Sequence, residues 1–129
     1  MSDAIHQEIT IKASPARVYE ALTEAKRFSA MSGGAPAEIE ARAGGAFSLF
    51  GGHVAGRTLE LEAGRRLVQA WRAKDWAPGV YTICRFELAP QGDGTRLVFD
   101  QSGVPAGAKE HLEGGWHKMY WEPLNQLAG

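Results

Sequence analysis

The chain has 129 residues, a formal net charge of −1 and a pI near 6.4. That length allows one domain with a buried core, and the near-neutral, scattered charge excludes a protein whose main partner is nucleic acid. A single cysteine, Cys84, excludes an internal disulfide and a multi-cysteine metal site.

The first ten residues have neither the basic start nor the apolar core of a signal peptide. No apolar run approaches the ~18–20 residues that span a membrane. We therefore expect a cytoplasmic protein that does not insert into a membrane.

Residues 5–12 alternate between apolar and polar side chains, which predicts a half-buried strand. Ser14 followed by proline is typical of a helix N-terminus. The sequence then predicts a short helix over residues 15–22 and a second over 24–31, with Thr23 as its N-cap.

From residue 37 the apolar period switches to two, which predicts a run of strands. Tight turns, many of them glycine pairs, separate the strands, so neighbours should pair antiparallel. The predicted strands are residues 37–42, 46–50, 54–61, 66–73, 80–88 and 95–101.

Residues 105–127 are long enough for a six-turn helix with one apolar stripe. Gly114 and Gly115 should each cost about 1 kcal/mol relative to Ala, and Pro123 cannot donate to the carbonyl of Met119. Such a helix needs a packed surface beneath it, and its glycines either allow close packing or leave room. The predicted stripe is Leu112, Trp116, Met119, Tyr120, Pro123, Leu124 and Leu127.

This element order predicts an α+β fold for residues 1–129 as a single domain. One strand, two short helices, six meandering strands and a long helix give the arrangement β-α-α-β6-α. A curved antiparallel sheet wrapped around the C-terminal helix fits this order best.

No motif in the chain supports a cofactor, a metal or catalysis. His111 and His117 are six residues apart, unlike the i, i+4 spacing of a helical zinc pair. No phosphate-binding glycine motif and no GxSxG sequence occurs. Mid-strand Cys84 is typical of a buried small hydrophobe, and the alternating glutamates of the strands indicate a solvated face. We expect no enzyme, no cofactor and no metal site.

The aromatic residues of the strands and the terminal helix allow two interpretations. They fill the core, or some of them line a pocket between sheet and helix, since pockets combine apolar walls with a few polar groups. Arg72 and His117 are further polar candidates. The candidate pocket residues are Phe47, Leu49, Gln69, Trp71, Cys84, Phe86, Phe99, Trp116 and Tyr120.

Several short motifs, weak singly but specific in order and spacing, carry a family resemblance over about four-fifths of the chain. They are Ala35-Pro36-Ala37, Gly44-Gly45-Ala46-Phe47, Gly52-His53-Val54-Ala55-Gly56, Leu67-Val68-Gln69-Ala70-Trp71-Arg72, and Gly103-Val104-Pro105 followed by Gly115-Trp116 and Tyr120. Ser14-Pro15 and Val18-Tyr19 extend it to nearly the whole chain. The chain resembles the C-terminal domain of the activator of heat-shock protein 90 (Hsp90) ATPase. That domain belongs to the helix-grip superfamily of START-related and birch-pollen-allergen-like proteins.

The resemblance implies a helix-grip fold, and it is stronger evidence for the fold than for the function. The eukaryotic activator also has an N-terminal domain that makes major contacts with the chaperone. Because this chain begins at the first strand of the C-terminal domain, we expect no counterpart of that domain. The superfamily commonly encloses a cavity for apolar ligands.

Three hypotheses follow. The first is a non-enzymatic domain that binds a small hydrophobic ligand between sheet and helix. The second is a protein-interaction module that stimulates an Hsp90 homologue, and the third is a small hydrolase or cyclase using the cavity. The expected partners are a small apolar ligand or a chaperone, and the expected assembly is a monomer or a homodimer.

Overall fold

The computed structural model describes residues 3–127 and is built around a seven-stranded antiparallel sheet. Its spatial order is β1-β7-β6-β5-β4-β3-β2, so consecutive strands from β2 to β7 are neighbours and β1 returns beside β7. The strands are β1 (Asp3–Ile11), β2 (Glu38–Ile39), β3 (Ala46–Leu49), β4 (Val54–Glu62), β5 (Arg66–Ala73), β6 (Thr82–Gln91) and β7 (Gly94–Val104).

The helices lie at the two places that the sequence predicts. Helices α1 (Pro15–Thr23) and α2 (Ala25–Met31) follow β1, and a long terminal helix follows β7. The terminal helix consists of α3 (Lys109–Trp116), a π-helical turn (His117–Trp121) and α4 (Glu122–Asn125). The predicted α+β helix-grip fold is confirmed.

The N-terminus of α1 is capped as the sequence predicts. The Ser14 hydroxyl accepts a hydrogen bond from the Arg17 N–H at 3.3 Å, and Val18 and Leu22 are buried. The predicted Thr23 cap of α2 is wrong. Thr23 closes α1 instead, because its hydroxyl donates to the Tyr19 carbonyl at 2.7 Å.

The strand alternation divides the sheet into a concave inner face and an exposed outer face. In β6, residues Thr82, Cys84, Phe86 and Leu88 are buried while the residues between them are exposed. The strand predicted over residues 37–42 is much shorter in the structure, where β2 is Glu38–Ile39. The chain leaves the sheet at Glu40, whose carboxylate accepts the Ala46 N–H at 3.1 Å.

Gly56 allows β4 and β5 to approach each other closely beneath an aromatic ring. A Cβ at this position would lie 1.8 Å from the Ala70 carbonyl oxygen and 2.8 Å from Cζ of Phe47. Phe47 is paired with Gly56 across β3 and β4 and is 4% exposed. The missing side chain therefore makes the space that Phe47 occupies in the core.

The terminal helix differs in phase from a regular α-helix. Trp116, Tyr120 and Leu124 are buried as predicted, but Met119 is 40% exposed and Trp121 is 2% exposed. The π-helical turn explains this, because the wider turn brings residues i and i+5 onto one side. It also precedes Pro123, which has no N–H for the usual i→i−4 bond. Among residues 3–127, no helix has the length and apolar character needed to cross a membrane.

Candidate functional site: an aromatic cleft between sheet and terminal helix

An open cleft of about 510 Å³ lies where the terminal helix crosses the end of the sheet near β3, β4 and β5. Its volume falls within the usual range of small-molecule sites. Its lining residues are Phe50, His53, Val54, Trp71, Ala73, Asp75, Trp76, Gly107, Ala108, His111, Leu112, Gly115, Trp116, Met119 and Tyr120.

Three buried aromatic side chains form the floor of this cleft. Trp71 of β5 is 4% exposed, and Trp116 and Tyr120 of the terminal helix are 2% and 3% exposed. The ring centroids of Trp116 lie 5.2 Å from Trp71 and 4.3 Å from Tyr120. The floor is therefore continuous between sheet and helix, and apolar atoms dominate it.

A chain of buried hydrogen bonds fixes these aromatic rings. Trp116 Nε1 donates to Gln101 Oε1 at 2.8 Å, and Gln101 Nε2 donates to the Thr82 hydroxyl at 3.0 Å. That hydroxyl donates to the Trp71 carbonyl at 2.7 Å, and Trp71 Nε1 donates to the Tyr120 hydroxyl at 3.4 Å. Because satisfied buried polar groups rigidify a core, these hydrogen bonds hold the floor in one arrangement.

Phe50 forms one wall and has an unusual backbone conformation. It lies in the 3₁₀ turn between β3 and β4 with φ of 54°, a value that bulky residues rarely adopt. Its ring makes edge-to-face contacts with Phe28 at 5.2 Å and Tyr120 at 5.7 Å. These contacts hold a strained turn in place, and such strain is often found at binding sites.

Trp76 forms the opposite wall from the loop after β5. Its ring is edge-to-face with Trp71 at 5.8 Å, and its side chain is partly buried. An Arg72 guanidinium nitrogen donates to the Trp76 carbonyl at 2.6 Å and to the Ala77 carbonyl at 3.4 Å. These bonds hold the loop and fix the position of the indole.

Gly115 leaves space on the helical side of the cleft. A Cβ built at Gly115 or at Gly114 has no heavy atom within 4 Å beyond its own local helix. Only Gly115 of the two lines the cleft. Of the two alternatives left open by the sequence, the glycines therefore leave room and are not required for close packing of helix on sheet.

The polar groups of the cleft lie at its mouth. His53, Asp75 and His111 are all exposed, whereas the hydroxyl of Tyr120 lies on the floor. Burial raises the pKa of the Tyr120 phenol, so it stays protonated at neutral pH and acts as a hydrogen-bonding group. Among residues 3–127, no three His, Cys, Asp or Glu side chains are grouped to hold a metal ion.

Three of the nine candidate pocket residues line this cleft: Trp71, Trp116 and Tyr120. The other six, Phe47, Leu49, Gln69, Cys84, Phe86 and Phe99, are buried in the interior and do not line it. Cys84 lies beneath the floor, where its sulfur is 3.8 Å from the Thr82 hydroxyl and burial raises the pKa of its thiol. Arg72 and His117 do not line the cleft either.

Among residues 3–127, half of the twelve cleft residues outside the candidate list come from turns and loops. Phe50, His53, Asp75 and Trp76 lie outside the regular strands, where alternation carries no information. A regular helical period predicts Met119 in the buried stripe, whereas the structure leaves it 40% exposed at the edge of the cleft. The sequence feature that points to one of these residues is an aromatic side chain in a loop, as at Trp76.

A model of the family "Activator of Hsp90 ATPase homolog 1-like protein" matches residues 12–129. The chain belongs to this family. Membership confirms the resemblance drawn from the sequence motifs and makes the chain a helix-grip domain of the Hsp90-activator type.

Two sequence relatives show how far the family likeness extends. The chain is 30% identical to the human activator of 90 kDa heat shock protein ATPase homolog 1 over 120 residues, which cover 93% of this chain and 35% of the human protein. It is 33% identical to an uncharacterised protein of Schizosaccharomyces pombe over 125 residues, 97% of this chain and 37% of that protein. The chain thus spans little more than a third of each relative.

A solved structure of similar size gives a further comparison. The structure of an HSP90 activator from Plasmodium falciparum has a TM-score of 0.83 to this chain at 27% identity. The match covers 95% of this chain and 91% of that chain. This member of the activator family therefore has nearly the same architecture and extent.

Proposed function

We propose that the chain is a non-enzymatic binding domain that holds a small hydrophobic ligand in the aromatic cleft. The observation that carries the proposal is the cleft of about 510 Å³ with a floor of Trp71, Trp116 and Tyr120. Apolar walls with a few polar groups at the mouth are the usual composition of a ligand site.

The polar chemistry of the cleft supports binding over catalysis. Tyr120 and Cys84 both have raised pKa values because they are buried, so neither supplies an anion for nucleophilic attack at neutral pH. A small hydrolase or cyclase would need a paired acid and base on the floor, where the indoles and the phenol offer hydrogen bonds alone.

A matched pair of helix variants tests the ligand proposal. Gly115→Leu places a side chain in the cleft, whereas Gly114→Leu makes the same change one residue away on the exposed side. The probes are decanoic acid, a flavonol and 8-anilinonaphthalene-1-sulfonate, titrated by tryptophan quenching or dye fluorescence. We expect Gly115→Leu to weaken binding of the preferred probe at least about tenfold, roughly 1.4 kcal/mol, and Gly114→Leu to leave it unchanged.

Two outcomes would contradict this proposal. One is that the unaltered protein binds none of the three probes. The other is that both leucine variants bind as well as the unaltered protein, which would place the ligand elsewhere.

We propose a chaperone-directed function as the second candidate, favoured by the named relatives. The human relative is an activator of Hsp90 ATPase, and the Plasmodium falciparum HSP90 activator superposes on 95% of this chain. On this proposal the chain binds an Hsp90 homologue of its host and raises its rate of ATP hydrolysis.

A steady-state ATPase assay tests the second candidate. The purified chain is added to the host's Hsp90 homologue, and an Hsp90 inhibitor separates specific from background hydrolysis. We expect turnover to rise with the concentration of the chain and to saturate. No change in turnover, together with no complex in sedimentation velocity, would remove this candidate.

A further inference from the structure

The outer face of the sheet, on the side away from the terminal helix, has two ends of different character. At the end of the face nearer the β4–β5 and β6–β7 turns, cations and carboxylates pair across strands. Arg66 lies 3.0 Å from Glu87, and Arg96 pairs with Glu8. Those charges are largely neutralised by their neighbours, which is the ordinary state of a solvated sheet face.

The opposite end of this face is apolar and carries two arginines, Arg57 and Arg72, that lie outside its cross-strand ion pairs. Cross-strand register places Arg57, Ala70 and Ile83 side by side on β4, β5 and β6. Arg72 and Tyr81 lie next to them, with the Arg72 guanidinium 5.8 Å from the Tyr81 ring centroid. These five residues are named the Arg–Tyr patch.

The apolar members of the patch are unusually exposed. Tyr81 is 49% exposed and Ile83 is 42% exposed, although isoleucine is among the residues most often buried. Ile83 lies in the middle of the sheet, between its register partners Ala70 and Ser102. The outer face therefore presents a large aliphatic side chain where a solvated strand normally presents a polar one.

The cations of the patch are not part of an ion pair among residues 3–127. Neither Arg57 nor Arg72 is within 4 Å of a carboxylate belonging to residues 3–127, whereas other arginines of the same face are paired. Arg57 is exposed and donates to the Gly44 carbonyl at 3.0 Å. Its charge also helps, after the Ala46 N–H and Arg42, to lower the pKa of the Glu40 carboxyl. The exposed Arg57 guanidinium and the Arg72 guanidinium, whose Nη2 is held by the Trp76 and Ala77 carbonyls, flank exposed apolar side chains. This arrangement complements carboxylates that flank an apolar side chain.

We infer that the Arg–Tyr patch is a docking surface for a partner protein that presents an aliphatic or aromatic side chain between carboxylates. The inference rests on the chaperone-directed proposal, which supplies an Hsp90 homologue as the partner to test. Arg and Tyr are the residue types that most often dominate protein interfaces. Nucleic acid or a lipid surface would favour a larger, more uniformly basic area than two arginines around Tyr81 and Ile83.

Paired substitutions test this surface. Arg57→Glu reverses a charge in the patch, and Arg65→Glu makes the same change in the exposed turn between β4 and β5. Ile83→Glu removes the apolar centre, and Ala89→Glu adds the same charge farther along β6, also at an exposed position. Affinity for the host's Hsp90 homologue is measured by biolayer interferometry, and circular dichroism checks that each variant is folded.

We expect each patch substitution to weaken the complex about tenfold or more, and each control to change affinity less than about twofold. Raising the salt from about 0.05 M to 0.3 M should slow association of the unaltered chain more than association of Arg57→Glu. If Ile83→Glu disturbs the fold, Tyr81→Ser replaces it, because Tyr81 precedes the start of β6.

The outcomes separate the inference from the proposal beneath it. Equal binding by the unaltered chain and the patch variants would overturn this inference and leave the chaperone proposal standing. No binding by the unaltered chain would overturn both. Binding to phosphatidylglycerol vesicles that is lost on Arg57→Glu, with chaperone binding unaffected, would assign the patch to a lipid surface and overturn the inference.

Discussion

Replacing Gly115 by alanine is the sharpest stability test of the open cleft. The residue lies in α3, where glycine costs about 1 kcal/mol relative to alanine. A Cβ there has no neighbour within 4 Å outside the local helix, so no clash offsets the gain. We expect Gly115→Ala to raise the free energy of unfolding by about 1 kcal/mol and the melting temperature by roughly 4 °C.

Gly114→Ala is the matched control for this substitution. It lies in the same helix, is exposed and also has no neighbour within 4 Å, so it should give the same gain. Urea unfolding followed by circular dichroism measures both changes. A destabilised Gly115→Ala beside a stabilised Gly114→Ala would show that the helix touches the sheet at Gly115, and the reasoning for an open cleft would be refuted.

Three further predictions concern the core and the outer face. Trp121→Ala should lower the free energy of unfolding by about 3–5 kcal/mol and Met119→Ala by less than about 1 kcal/mol, because the π-helical turn buries only Trp121. Urea unfolding measures both changes, and equal losses would contradict the burial of Trp121 and exposure of Met119. Hydrogen bonds to Asp100 and Glu8 raise the pKa of His6 above 6.5, so its contribution to stability is present below pH 6.5 and is lost as pH rises through the folded-state pKa. An NMR titration should show this raised pKa and its decrease in Asp100→Asn, and an unchanged value would contradict the pairing. Cys84, at 0% exposure, should react with Ellman's reagent only after unfolding; rapid reaction of the native protein would show that the interior opens readily.

Much of the fold could be predicted from the sequence because burial imposes periods on it. The alternation of residues 82–88 gives β6 its inner and outer faces, and Ser14 before Pro15 gives the start of α1. Turn residues fix the hairpins, as at Gly92 and Asp93, which join β6 and β7. These local signals agree with one another, so the order of elements and the antiparallel sheet follow from them.

The candidate site was less predictable for two physical reasons. Alternation shows that Phe86 and Trp71 point inward, but it does not show that Phe86 packs in the interior while Trp71 reaches the cleft. Which side chains of the terminal helix face the sheet also depends on a π-helical turn, and no residue before Pro123 predicts that turn. As a result Met119 was placed inward, and the burial of Trp121 was not predicted.

The most direct test of the central claim uses the four tryptophans as reporters. Trp71, Trp76 and Trp116 line the cleft. Trp121 does not line it: its ring stacks on that of Trp116 at 5.7 Å, and its indole N–H donates to Gln7 Oε1 at 2.7 Å. Their indole N–H signals are followed in ¹H–¹⁵N spectra while decanoic acid or a flavonol is added. A hydrophobic ligand in the cleft should shift the first three signals together and shift the Trp121 signal least. No shift at saturating probe, or an equal shift of all four, would contradict the claim.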